Sequence, residues 1–171
     1  MTAALASKPL ALSLGDQLAQ DFTFAVSEAF GKTFDVPVKA GRYVIGEGSV
    51  SLTGDVYGVV GFIQEKLEGT LTACFNITVM NKILPRLLGD GIEITQDVAM
   101  DAVGEITNMI FGQIKTALNQ RGHHLRFGMP SVILGGGHFI SQMHEGRYML
   151  MHFELEGSVF QIHVALHGSM K

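Results

Sequence analysis

The sequence predicts an α+β fold: an antiparallel sheet with long helices packed against it. Three observations carry that prediction. Apolar residues recur at three- and four-residue steps from Gly15 to Gly31 and again from Thr95 to about Asn119, the pattern of amphipathic helices. The stretches 35–75 and 130–166 instead read as short runs rich in Val, Ile, Phe and Tyr, broken by turn residues, as hairpins do. Helix followed by antiparallel strands occurs twice, which suggests a pseudo-two-fold internal repeat. The chain has 171 residues, 47% of them hydrophobic and 16% charged, which fits a single domain over 1–171 with a sizeable core.

The first helix buries Leu18, Phe22, Ala25, Val26 and Ala29 on one stripe, and Gly31 is its expected stop. SVSLT (49–53) reads as a strand, Gly54-Asp55 as a two-residue turn, and VYGVVGFI (56–63) as the returning strand. A polar turn from Gln64 to Lys66 leads into GTLTACF (69–75). Asn76 is placed to cap the helix ITVMNKILPRLL (77–88), which Pro85 should kink or shorten and Gly89-Asp90-Gly91 should end. Thr95 is the next N-cap. Asp97 follows it in the first turn, where the helix dipole favours an acid, and this helix should stop before Gly122. PSVILGGG (130–137) reads as a strand entering a glycine turn, and 147–155 with 158–166 as a hairpin about Glu156-Gly157. The repeat shows in the likeness of Phe30-Gly31-Lys32 to Phe111-Gly112-Gln113, and of 54–62 to 157–165.

Composition removes several function classes. The net charge is -4, from 12 basic and 16 acidic residues with no basic stripe. Nucleic acid and anionic lipid are therefore poor partners. The apolar runs fall short of the ~20 residues that span a bilayer, so no membrane insertion is expected. The N-terminal stretch has no basic leader and carries Lys8 in its middle. A signal peptide is not expected, and a cytoplasmic location is. Cys74 is the one cysteine, so no intramolecular disulfide forms, and its apolar neighbours place it as a buried strand thiol. Low charge with high hydrophobicity also favours a buried subunit interface or a docking face for a partner.

Seven histidines crowd the C-terminal half, at 123, 124, 138, 144, 152, 163 and 167. His163 and His167 share a strand face but stand ~13 Å apart, too far to chelate one ion. His123-His124 falls at a helix end, where the dipole favours a cation. Without H-E-x-x-H or C-x-x-C spacing, no metal site is expected. GGGH (135–138) lacks the G-K-[ST] ending of a phosphate loop and reads as a turn, and no G-x-S-x-G is present.

The chemistry concentrates on the helix from Thr95. At roughly 100° per residue, Asp101, Glu105, Asn108, Gly112, Lys115 and Asn119 fall within about 40° of one line. Val98, Ala102, Ile106, Met109, Ile110, Ile114 and Ala117 lie opposite. Glu105 and Asn108 point the same way from neighbouring turns. An amide can donate and accept from one rigid group, which suits it to hold and aim a water, and a carboxylate can anchor a cation. Neither is a nucleophile, and Asn is no general base, so any electrophile must arrive already activated. Gly112 costs about 1 kcal/mol against Ala in mid-helix, and Gly104 borders the same face. Two readings stay open for both: close approach of a partner's backbone, or relief of crowding against another element of the fold.

Glu105-Ile-Thr-Asn108 followed by Met-Ile-Phe-Gly112 resembles the E-x-x-N-x-x-x-G helix motif of the CheC/CheX/FliY chemotaxis phosphatases. Pro130-Ser131-Val132 resembles the start of the strand after that helix in CheX-type members, and the order of elements resembles theirs over most of the chain. The resemblance implies a phosphatase that binds a phosphorylated CheY-like receiver domain and speeds loss of phosphate from its aspartate. It makes Asn108 the residue that orients the attacking water and Glu105 the carboxylate that contacts the receiver's lysine. Asp101, Gly104, Gly112 and Lys115 would be partner-binding. No cofactor of its own is implied, and Mg2+ is expected in the partner receiver. CheC-type members carry two motifs. Setting Phe30-Gly31 against Phe111-Gly112 puts Phe24 opposite Glu105 and Ser27 opposite Asn108, so the first helix lacks the pair, as in the single-site CheX arrangement. CheX-type proteins commonly pair, so a homodimer is expected. The alternative is a binding module of the same fold that engages a receiver or other signalling protein without catalysis.

Overall fold

The computed structural model describes residues 14–65, 67–93, 95–135 and 146–167, with the backbone alone at Ala99. Most of the N-terminal stretch, where no signal peptide is expected, and most of GGGH lie outside them. Helix α1 spans Asp16–Phe34 and buries Leu18, Phe22, Ala25, Val26, Ala29 and Phe30. Gly31 does not stop it. The apolar stripe continues to Phe34, whose ring packs 5.7 Å from that of Phe30, and burying an aromatic outweighs the ~1 kcal/mol propensity penalty of one glycine. The helix closes one turn later, where Asp35 turns left-handed (φ 53°) and donates its N–H to the Gly31 carbonyl.

Strand β1 is Lys39–Glu47, which precedes the expected strand. Residues 49–54 form no ladder. Leu52 instead packs with Tyr57, Cys74 and Leu150, and the Tyr57 hydroxyl donates to the Gly54 carbonyl at 2.9 Å. The alternation over 49–53 is thus satisfied by side-chain burial against a sheet face, and Gly54-Asp55 is no hairpin turn. The Asp55 carboxylate accepts from Ile77 N–H at 2.7 Å. Strands β2 (Val56–Gln64) and β3 (Leu67–Phe75) form the expected hairpin, in register from Val56↔Phe75 to Gln64↔Leu67. Helix α2 (Ile77–Leu88) is capped by the Asn76 side chain, which accepts from Val79 N–H at 2.9 Å. Pro85 does not shorten it, because Gly89 N–H closes the last turn on the Pro85 carbonyl.

Helix α3 (Gln96–Gln120) follows, then β4 (Arg126–Phe127), β5 (Ser131–Leu134), β6 (Arg147–Leu155) and β7 (Ser158–His167). The β6–β7 turn is Glu156-Gly157, both at positive φ (47° and 82°), which matches the right-handed twist of a two-residue hairpin. The strand order is β1-β6-β7-β3-β2-β4, every pair antiparallel, with β5 joining β2 beside β4.

Read from either edge, this order is its own mirror: β1 answers β5, β6 answers β2, and β7 answers β3. The two-fold axis passes between β3 and β7, and helices α1 and α3 open the two halves. Phe30-Gly31 and Phe111-Gly112 do lie on counterpart helices. The likeness of 54–62 to 157–165, however, pairs β2 with β7, which hold inequivalent places; the counterpart of β2 is β6. Similar alternation on any two strands of one sheet explains the false match.

Both long helices sit on one sheet face. Val60, Phe62, Leu71, Phe75, Met151, Phe153, Phe160, Ile162 and Val164 turn toward them into a common core. Phe30 of α1 stacks on Phe160 at 4.9 Å. The opposite sheet face carries Tyr57, Thr72, Cys74, Gln161 and His163, in register across β2, β3 and β7. Among the described residues, no helix is long and apolar enough to cross a membrane.

Candidate functional site

Helix α3 starts where the sequence places it. Thr95 Oγ1 accepts from Val98 N–H at 3.3 Å, and Asp97 lies in the first turn. Ala102, Val103, Ile106, Ile110, Ile114 and Leu118 are buried, which fixes the opposite line outward. Asp101, Glu105, Asn108 and Gly112 are exposed, while Gly104 and Lys115 are half-buried. None of the described residues makes a hydrogen bond or ion pair with the side chains of Asp101, Glu105, Asn108 or Lys115. The amide and the carboxylate therefore face solvent with their bonding capacity unused.

The two glycine readings separate cleanly. A Cβ built on Gly104 or on Gly112 meets no heavy atom within 4 Å. Neither glycine relieves crowding against any of the described residues, which leaves approach of a partner as the favoured reading. The line Gly104, Asn108, Gly112 is a strip of low relief along an exposed helix.

The site is an exposed helix face. A cavity of about 600 Å³ lies among Gly61, Ile63, Glu68, Thr70, Arg126 and His167, with none of the α3 polar line in its lining. Such a face can act only on something that brings its own cleft.

What holds α3 in place was not legible from the helix itself. Asp21 of α1 is 1% exposed. Its carboxylate accepts from Arg121 Nε at 2.5 Å, from His123 Nε2 at 2.6 Å and from Gln17 Nε2 at 3.1 Å. Burial pushes its pKa up, but the hydrogen bonds from His123, Arg121 and Gln17 outweigh burial and hold it below the ordinary carboxylate value. The Gln64 side chain donates to the His123 carbonyl. His123 is thus drawn into a buried network rather than answering the helix dipole. The Arg121 guanidinium also lies 4.9 Å above the Phe24 ring. A sequence signal existed: an acid on the apolar stripe of α1, three residues ahead of Phe24.

The remaining titratable groups lie elsewhere. Cys74 is buried as expected, and burial pushes its thiol up to about 12, so it is no nucleophile at neutral pH. His163 is fully buried, and burial, reinforced by His167, pulls its pKa down to about 4. Among the described residues no three His, Cys, Asp or Glu side chains converge as a metal-binding group.

Residues 56–154 match the family model for Chemotaxis phosphatase CheX. The CheY-P phosphatase CheX of Thermotoga maritima is 32% identical over 82 residues, which is 47% of this chain and 50% of that relative. The match thus spans half of the relative's length. Among solved structures, the chemotaxis protein CheX of Desulfovibrio desulfuricans superposes with a TM-score of 0.76 at 27% identity, over 89% of this chain and 100% of the other. The CheX–CheY–BeF3–Mg2+ complex from Borrelia burgdorferi gives a TM-score of 0.68 at 20% identity, over 88% of this chain and 97% of that one, a likeness of fold. With the matched segment covering more than half of its length, the chain belongs to the CheX family of chemotaxis phosphatases.

Proposed function

We propose that this protein removes the phosphoryl group from the aspartate of a CheY-like receiver domain. One observation carries the reading: on a CheX-family chain, Glu105 and Asn108 stand exposed on neighbouring turns of α3 with no partner among the described residues. The Thermotoga relative is named a CheY-P phosphatase, and the Borrelia complex joins a CheX to CheY.

The chemistry asks little of this chain. An aspartyl phosphate is an activated mixed anhydride, and phosphoryl transfer depends mainly on positioning and charge neutralisation. Helix α3 would enter the receiver's cleft. Asn108 then accepts a hydrogen bond from the attacking water through its carboxamide oxygen, and its NH2 can donate to a phosphoryl oxygen. That fixes the water in line with the scissile P–O bond, a gain in orientation rather than in basicity. Glu105 pairs with a lysine of the receiver and sets the depth of insertion. Mg2+, held by the receiver, neutralises charge on the leaving group. Asp101, Gly104, Gly112 and Lys115 border the contact, and the two glycines let the partner's backbone approach.

The test follows release of labelled phosphate from phosphorylated receivers. Wild-type protein should accelerate release, and Asn108→Ala should lower the accelerated rate by about 10²–10³, the size of losing one well-placed polar group. Acceleration that survives Asn108→Ala sinks the mechanism. Receiver binding without acceleration supports the non-catalytic module instead. The expected homodimer has a candidate edge in β1, which exposes Tyr43 and Val44, and light scattering measures it directly.

A further inference from the structure

The outward face of α1 carries a second line that the motif does not account for. Phe24, Ser27 and Gly31 lie at the spacing of Glu105, Asn108 and Gly112, on the helix that the internal two-fold relates to α3. Phe24 is 41% exposed. Gly31 is exposed, and a Cβ there meets nothing within 4 Å. So α1, like α3, bears a glycine on its surface that no contact among the described residues requires. The start of α1 lies beside the end of α3, where Arg121 caps the Phe24 ring while its Nε is held by the buried Asp21 carboxylate. An arginine pinned over an exposed aromatic is a preorganised anchor, because its side chain has little conformational freedom left to lose on binding.

The two lines meet where Arg121 lies 4.9 Å above the Phe24 ring, and the α3 line has a polarity. Along α3 it runs from Asp101 and Glu105, through Asn108, to Lys115 and Arg121. At 1.5 Å per residue that is about 30 Å, the width of a standard interface of roughly 800 Å² per partner. Acid occupies one end and base the other, with the Phe24 ring at the basic end.

We infer that the Phe24–Arg121 pair and the open Gly31 of α1 form the second half of the receiver-docking surface. The pair engages an apolar side chain flanked by a carboxylate on the receiver, while Glu105 engages its lysine. This assignment rests on the receiver reading above. It gives α1, which lacks the catalytic pair, the work of partner selection.

Binding and turnover are measured separately. CheY-type receivers are titrated as their beryllofluoride complexes in Mg2+, and turned over after phosphorylation with acetyl phosphate. Phe24→Ala and Gly31→Gln change exposed positions. Each should weaken binding about tenfold and raise KM by a similar factor, leaving kcat unchanged. Asn108→Ala should do the reverse, lowering kcat with binding kept. If both α1 variants bind within twofold of wild type, the inference is wrong, whatever the hydrolysis shows. If binding depends on Phe24 and Gly31 but wild-type protein releases no phosphate, the surface stands and the phosphatase reading fails. If no receiver binds, both fall.

Discussion

Asp21 and Arg121 are separated by 100 residues and meet at 2.5 Å, the carboxylate buried and the guanidinium at the surface. The contact joins the first turns of α1 to the residue just past α3. It therefore couples the two halves of the internal repeat at the end of the helix that carries Asn108.

Removing that charge should loosen the end of α3. Asp21→Asn loses charge-assisted hydrogen bonds from Arg121 and His123 and should destabilise by about 2–3 kcal/mol. The effect is pH-dependent. Because the folded-state pKa of Asp21 is lowered, its contribution is present above the unfolded value near 3.8 and fades as pH falls through the folded value. Urea midpoints of wild type and Asp21→Asn should differ at pH 7 and converge in acid. Equal midpoints at pH 7 would show that the network contributes nothing.

Gly112 and Gly104 set stability against docking. A Cβ at either meets nothing within 4 Å among the described residues, so Gly112→Ala and Gly104→Ala should each stabilise the isolated protein by about 0.5–1 kcal/mol. The same methyl groups would stand in the path of an approaching partner. Melting temperature should rise while KM for the receiver rises too. A variant that gains stability with KM unchanged would remove any reason in docking for the glycine.

His163 should make the protein acid-sensitive in a window separate from that of Asp21. Its ring nitrogens have no hydrogen-bond partner among the described residues, and burial pulls its folded pKa down to about 4. The unfolded chain takes up the proton near pH 6.5 while the folded one does not, so stability falls as pH drops from about 6.5 toward 4, by up to about 3 kcal/mol. His163→Leu should flatten that slope, and denaturation curves at pH 7 and pH 5 measure it. A wild-type slope unchanged by the substitution would place the titrating group elsewhere.

By itself the sequence determined the helices at 77–88 and from Thr95, their caps, the 56–75 hairpin, the 147–166 hairpin and the outward line of Glu105 and Asn108. These rest on periodicity, capping and turn chemistry, which act over a few residues. Tertiary structure decided the rest. Residues 49–53 alternate like a strand, yet Leu52 buries itself against Cys74 and Leu150, partners that local pattern cannot name. Gly31 looked like a stop until Phe34 found Phe30 and the core. Whether Gly104 and Gly112 relieve crowding is a question about neighbours distant in sequence, and the answer was empty space. Asp21 borders the apolar stripe of α1 with no local sign of its partners. Only when the two halves close about their two-fold axis do Arg121 and His123 arrive to pair with it, because a buried charge is tolerated only where the fold brings its partners.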